Sequence, residues 1–395
     1  MGRIPVYRTP SLDLVEHEVL RLIDGLRHDL RHRVAQPRRW LGKLRRMAFA
    51  RAVQGSNSIE GYNASLDDVA AAVEGEPTLD ASEETQLALA GYCDAMTYVL
   101  QVAEDEDAAI DEGMVKALHF MMLRHDLSKN PGRWRPGEIR VEEEQTGRIV
   151  YEGPPAEVVS GLIDSMLAAL ADDVPTLVRA AMAHLNLVMI HPFSDGNGRM
   201  ARCLQTLVIA RERTGTPVLS SVEEYLGRNT RAYYGVLADV GQGAWRPEGD
   251  ARPWIRFMLT AHYRQAKTHL RRIEEIERLY SQCSELVARR GLAERCAAGL
   301  SDAALGLRLR RNSYMSVVKA SAGEEISELT ATRDLQAMVR AGLLTPRGET
   351  RGRYYVGAAS TLALRRAIRA QRPARDEYDP FAVAEKELQL SLETR

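Results

Sequence analysis

Two apolar helical patterns converge on a short polar break at residues 191–199. That break restricts the chain to folds built around a helix–loop–helix core. The first pattern opens near Asp173, with Pro175 expected in its first turn, and continues through Leu177, Ala181, Leu185 and Val188. Proline disfavours helical geometry in the residue before it, so this helix is expected to end at about His191, ahead of Pro192. The second pattern starts near Gly198 or Arg199 and carries Met200, Leu204, Leu207 and Val208 on one face. The connecting segment is His191-Pro-Phe-Ser-Asp195-Gly196-Asn197-Gly198-Arg199-Met-Ala-Arg202.

Successive backbone amides at such a helix start form an anion-binding nest, and two glycines let a ligand approach the backbone closely. Arg199 and Arg202 are one helical turn apart, so both forks can reach the same anion, and guanidinium suits phosphate oxygens. Asp195 is a single hard carboxylate beside that nest. Magnesium is typically held by one or two carboxylates together with substrate phosphates. His191 can take a proton near neutral pH. Base, carboxylate, nest and arginines within twelve residues describe phosphoryl or nucleotidyl transfer. The competing reading, a capped helix–helix turn with a satisfied histidine, suits a lone histidine better than this constellation.

The remaining chain reads mostly as helix, since Ala, Leu, Arg and Glu dominate and aromatics make up only 6%. Helical patterns begin at Ser11, near Ser65, and run over about Glu83–Ala103, Asp111–Leu123 and Arg252–Arg289. Residues 28–51 are strongly basic, with Arg38, Arg39, Lys43, Arg45 and Arg46; a solvated helix face is expected there in preference to a nucleic-acid surface. After the breaker Asn130-Pro131-Gly132, the short runs Ile139–Val141 and Ile149–Tyr151 predict a β-hairpin. At 395 residues, two or three domains are expected. The expected divisions are a helical region over 1–105, a catalytic core with its following helices over 106–290, a compact unit over 300–360 and a charged helical tail over 361–395.

With 53 basic and 54 acidic side chains, no overall field draws the protein to nucleic acid or membranes. No apolar run approaches the roughly 20 residues of a spanning helix. The start lacks a secretory apolar region, and Val6 breaks the myristoylation pattern. Cys93, Cys203, Cys283 and Cys296 are scattered, which suits a reducing cytoplasm and argues against a structural zinc.

The segment 191–202 resembles the signature of the Fic family, His-x-Phe-x-(Asp/Glu)-Gly-Asn-Gly-Arg-x-x-Arg, at every specified position. The resemblance implies a mostly α fold: a Fic-type helical core with a β-hairpin flap, here followed by a winged helix domain. It implies protein adenylyltransferase activity, in which AMP passes from ATP with Mg²⁺ to a Ser, Thr or Tyr hydroxyl of a target protein. In that reading His191 is the base, Asp195 holds Mg²⁺, and Gly196, Asn197 and Gly198 bind the α-phosphate region. Arg199 and Arg202 bind the outer phosphates, and Phe193 anchors the core. Family kinases resemble a version with Lys in place of Gly198, so Gly198 favours AMP transfer; phosphocholine transfer is not excluded.

Ser56-Asn-Ser-Ile-Glu60-Gly61 resembles the family's inhibitory motif, in which Glu60 pairs with Arg202 and misplaces ATP. By itself the same pattern is an ordinary helix end. The region of Tyr225, Asn229, Arg231, Tyr233 and Tyr234 lines the adenine pocket in relatives, with Tyr233 and Tyr234 the residues carried over; aromatic core packing is the competing reading. The 133–155 hairpin resembles the target-positioning flap, where an extended target segment can pair.

Residues 327–356 resemble a winged helix-turn-helix, with Thr332, Arg333 and Gln336 on the exposed face of its second helix and Arg347, Arg351 and Arg353 in the wing. Nine basic against six acidic residues over 301–360 leave DNA binding and protein binding both open. Self-modification and a homodimer that sets the position of Glu60 are further expectations. DeAMPylation of a modified protein, with Glu60 orienting water, and a nucleotide-responsive DNA-binding regulator stand as alternatives.

Overall fold

The computed structural model describes residues 4–143, 147–212, 217–349, 352–372 and 379–393. Polar caps mark where the first helices start. Asp13 forms a capping box with Glu16 at the head of α1 (Leu14–Ala35), and α2 (Leu41–Ile59) runs on to Glu60. Ser65, Ser82 and Asp111 cap α3 (Leu66–Val73), α4 (Glu83–Val102) and α5 (Glu112–Leu123). The expected hairpin follows: β1 (Arg140–Glu142) pairs antiparallel with β2 (Ile149–Glu152), Val141 facing Tyr151.

Next come α6 (Val159–Ala168), α7 (Thr176–Ile190) and α8 (Asn197–Ala210), the last two forming the helix–loop–helix core. Pro175 is the N-cap of α7, one residue outside its expected place in the first turn. Both helices are apolar almost all round because neighbours cover every face; Leu185, Leu187, Met200, Leu204 and Leu207 have no exposed surface. α9 (Glu223–Arg228) and α10 (Thr230–Gly241) lead into α11 (Arg252–Arg289), whose 38 residues span about 57 Å at 1.5 Å each. The first half of α11 packs Trp254 and Met258 into the main core. Its second half lends Leu279, Cys283 and Val287 to a second core.

That second core is closed by α12 (Cys296–Ala304), α13 (Arg311–Ala322), α14 (Glu328–Arg340) and the antiparallel pair β3 (Leu344–Arg347) and β4 (Tyr354–Gly357). Of the wing arginines, Arg351 lies outside the described residues. α15 (Ala359–Ala370) and α16 (Pro380–Glu393) are helical, as the tail was expected to be. They are not a detached tail. Ile368 joins the second core, while Phe381 and Ala384 pack against the main one.

The basic stretch differs from expectation. Lys43 and Arg46 do not face solvent; they meet Asp302 of α12, with Lys43 Nζ 2.6 Å from Oδ1. Lys43 and Asp302 are buried, and Arg46 also reaches Glu74 at 3.0 Å. The charges therefore fasten α2 to the C-terminal module. On its other side α2 crosses α9 at Gly55 and Gly227. A Cβ on Gly55 would overlap the Glu223 carbonyl and sit 2.8 Å from Glu224 Cα, and one on Gly227 would sit 2.6 Å from Gly55 Cα. Only a glycine pair lets the two backbones approach this closely, and the crossing fixes the helix that ends at Glu60.

Candidate active site

The loop between α7 and α8 is held by bonds that its own residues supply. His191 closes α7 in the left-handed region at φ 51°, its amide donating to the Leu187 carbonyl at 3.0 Å. Gly196 takes φ 75° as the N-cap of α8, where a Cβ would also press to 2.9 Å of Leu123. Asn197 bridges the loop, accepting from the Phe193 amide and donating to the Phe193 carbonyl, both at 2.9 Å. Both polar atoms of the Asn197 side chain are engaged with Phe193 and the residue is buried. What Asn197 contributes is the shape of the turn. Phe193 is fully buried, stacked on His119 at 3.6 Å.

The half-buried ring of His191 donates from Nδ1 to the Val188 carbonyl at 3.1 Å. This leaves Nε2 as the free acceptor, the tautomer a general base requires. Burial lowers its pKa below the ordinary histidine range, against the opposing pull of the Val188 carbonyl and the Glu60 and Asp195 charges. Asp195 Oδ2 lies 2.8 Å from Lys129 Nζ, and Oδ1 accepts the Gly196 amide at 2.5 Å. Burial pushes this carboxyl up, but Lys129 and Arg199 outweigh it and hold the group below its usual range.

The two arginines differ. Arg199 is fully buried, and none of its three guanidinium nitrogens has a hydrogen-bond partner among the described residues; the Tyr62 ring covers it at 5.0 Å. A buried guanidinium with nothing to donate to is costly unless an anion arrives. Arg202 is engaged from Nε to Ser56 Oγ at 2.8 Å and from Nη2 to the Ser56 carbonyl at 3.0 Å and Glu60 Oε1 at 2.6 Å. Its Nη1 alone is unpartnered. Burial would lower the pKa of Arg202, but Glu60 with Tyr233 and Tyr92 raises it overall. Glu60 Oε1 also sits where a Cβ on residue 198 would be, so the absent side chain of Gly198 makes room for the pair.

Tyr233 and Tyr234 do not form one pocket wall. Neighbours on a helix point about 100° apart. Tyr233 turns inward, 1% exposed, to His184 Nε2 at 2.9 Å beneath Arg202, whereas Tyr234 is exposed and donates to the Ile59 carbonyl at 3.2 Å. Tyr234 thereby holds the end of α2, and Tyr233 is core.

Four residues that matter here stand outside any motif. His119 donates from Nε2 to the Asp195 carbonyl and accepts the Gly132 amide at Nδ1, both at 2.9 Å; burial pushes its pKa down to about 4. Arg135 ties the base of the hairpin to the loop, with Nε on the His191 carbonyl at 2.8 Å and further donation to Gly137 and Pro154. Lys129 and Tyr62 complete the rim. The only sequence hint for His119 is a polar residue on an apolar helix face, and the other three give none.

The sequence profile of the Fic/DOC family matches residues 109–209. Protein adenylyltransferase fic-1 of Caenorhabditis elegans is 27% identical over 63% of this chain and 46% of its own length. Protein adenylyltransferase Fic of Nematostella vectensis is 28% identical over 56% and 49%. The chain thus spans about half the length of these curated relatives. A Fic family protein from Desulfovibrio desulfuricans G20 superposes with TM-score 0.55 at 23% identity, over 90% of this chain and 98% of that one. The solved Fic-1 fragment of C. elegans superposes with TM-score 0.54 at 24% identity, over 66% and 73%. Residues 109–209, with the 191–202 loop inside them, are thus similar to the Fic/DOC family, and the chain shares the fold of solved Fic family proteins.

Proposed function

We propose that the protein is an adenylyltransferase that moves AMP from ATP to a hydroxyl of a target protein and is restrained by Glu60. The observation that carries this reading is the unpartnered, buried guanidinium of Arg199 beside the α8 amides and the free Nε2 of His191. A bound anion would satisfy that guanidinium, and His191 would be the base beside it. His191 takes the proton of the target hydroxyl. The freed oxygen bonds to the α-phosphorus, the bond to the bridging oxygen breaks, and pyrophosphate leaves. Arg199, and Arg202 once released, hold the outer phosphates in line.

Asp195 fits as holder of a magnesium ion. It is one ionised carboxylate at the rim of the anion cradle, and it already attracts a cation, Lys129. Bound there, the ion would neutralise phosphate charge.

Glu60 competes for the donors a phosphate needs. With Glu60 on Arg202 and over Gly198, a γ-phosphate has no place, and ATP that binds otherwise loses in-line geometry. Small displacements of that kind cost on the order of 10²-fold. The test uses wild type, Glu60→Gly and Glu60→Gly/His191→Ala with Mg²⁺, α-labelled ATP and a cell lysate. Labelled protein is expected to rise on the order of 10²-fold with Glu60→Gly and to vanish in the double variant. Label from γ-labelled ATP would point to a kinase, and a silent Glu60→Gly that still binds ATP would remove the restraint from the proposal.

A DNA-binding role for 300–360 as a winged helix has one supporting observation. Arg333 and Gln336 are exposed on α14, and Arg333 has no ion-pair partner among the described residues. Against it, Arg308 and Arg310 are spent on Asp67, Asp68 and Glu76.

A further inference from the structure

A second cationic cleft lies where α2, α11 and α15 meet, and no residue of the 191–202 loop lines it. Five arginines do: Arg51 from α2, Arg272 from α11, Arg365 and Arg369 from α15, and Arg372 just beyond. Two carboxylates are at hand, and both are already claimed. Arg272 grips both oxygens of Glu224 at 2.5 and 2.6 Å, and Arg372 does the same with Glu275.

The other three arginines are left short. Arg51 has only the shared Glu224, at 3.9 Å, while Arg365 spends one nitrogen on the Leu305 carbonyl. Arg369 has no hydrogen bond or ion pair among the described residues. The crowding registers on the arginines themselves: burial and then neighbouring guanidinium groups push Arg51 down to about 9 and Arg365 to about 10.

A second observation comes from a different side chain. His269 lines the same cleft, is 2% exposed, and accepts the Gln265 amide at Nε2, 3.0 Å away. Its proton must therefore be on Nδ1, and Nδ1 is buried without a partner. A buried N–H with no acceptor, among arginines in excess of carboxylates, is a cavity short of an anion. The cleft offers about 50 Å³ to water-sized groups. At about 10–15 Å³ each, that is room for roughly three to five such groups, in keeping with the oxygens of one phosphate. Forks from three helices suit a tetrahedral anion, since a planar carboxylate cannot face all of them.

We propose that this cleft binds a phosphate group, free or as the monoester of a small molecule, between Arg51, Arg272, His269, Arg365 and Arg369. The site is separate from the catalytic cradle and does not depend on the proposed activity. A ligand there would join α15 of the C-terminal module to the helix that ends in Glu60.

The test is a thermal-shift titration of the full chain with inorganic phosphate, and with glycerol phosphate as the ester, against chloride at matched ionic strength. Four proteins are compared: wild type, Arg199→Ala to disable the catalytic cradle, Arg365→Gln, and Arg369→Gln. Arg369 is exposed, and Arg369→Gln removes no hydrogen bond or ion pair among the described residues, which spares the fold. A saturable rise in Tm, on the order of 5 °C, is expected in wild type and Arg199→Ala. The phosphate concentration for half the rise should increase at least about tenfold in Arg365→Gln and in Arg369→Gln. Response to phosphate alone would identify the free ion as ligand, and response to both the phosphoryl group.

In chloride, Arg369→Gln should keep or raise the wild-type Tm, because it relieves like-charge crowding. A fall there would make the arginine structural and overturn the proposal. So would a response that disappears with Arg199→Ala yet survives Arg365→Gln and Arg369→Gln, or no saturable response in any of the four.

Discussion

His191 carries two constraints at once. Its backbone ends α7 in a left-handed turn, and its ring is fixed by one bond from Nδ1 to the Val188 carbonyl, which leaves Nε2 as the unprotonated nitrogen. Burial lowers its pKa, which sets the direction of the pH response. In the proposed mechanism the base works only when neutral, so activity would be present above the folded pKa and lost as pH falls through it. Because burial lowers that pKa from the ordinary histidine value of about 6.5, the midpoint of labelling by Glu60→Gly should fall at a pH below about 6.5. A pH–rate profile of Glu60→Gly checks this; a midpoint at or above 7 would contradict the assignment. Gly198 belongs to the same scale. A side chain there would displace the Glu60 carboxylate from the position in which it meets Arg202.

At the scale of elements, α2 is the part on which the proposed restraint depends. Ser56 and Glu60 reach Arg202 because the crossing of Gly55 with Gly227 lets α2 lie against α9, and because Tyr234 holds the Ile59 carbonyl. Gly55→Ala inserts a methyl between two backbones that cannot yield. It should lower stability by about 1–3 kcal/mol and raise labelling of wild-type background toward the Glu60→Gly level. Denaturant unfolding and the labelling assay measure the two effects; lower stability with unchanged labelling would mean that the crossing does not position Glu60.

Much of this scale was legible in the sequence, because caps, breakers and periodicity are local: Ser65, Asp111 and His191-Pro192 marked helix ends within a residue or two. The Glu60–Arg202 pair was also expected, through the motif resemblance. Partnerships between distant segments were not legible. Nothing local distinguishes Lys43 from a solvated lysine, tells that Asn197 turns to Phe193, or shows that Tyr233 faces His184 while its neighbour faces out. Those outcomes depend on which element packs against which face.

The whole molecule is held together by charge as much as by apolar contact at one place. Lys43 and Arg46 of α2 converge on Asp302 of α12, inside the joint between the main core and the C-terminal module. Burial lowers the pKa of Lys43 and would raise that of Asp302, but the two cations bring Asp302 below its usual range, so the group stays ionised and paired. Asp302→Ala leaves a buried ammonium without a counter-charge and should cost about 3–5 kcal/mol. Chemical denaturation of the full chain measures it; a loss under about 1 kcal/mol would mean that water reaches the joint.

The position of that joint has a further consequence. α2 is a rod of 19 residues, about 28 Å long, clamped at one end by the C-terminal module and meeting Arg202 of α8 at the other. A rigid rod transmits displacement, so a fragment cut before the second core would have its N-terminal clamp missing and two cations bared to solvent. Its resting rate would describe an unanchored lever and would be a poor guide to the intact chain.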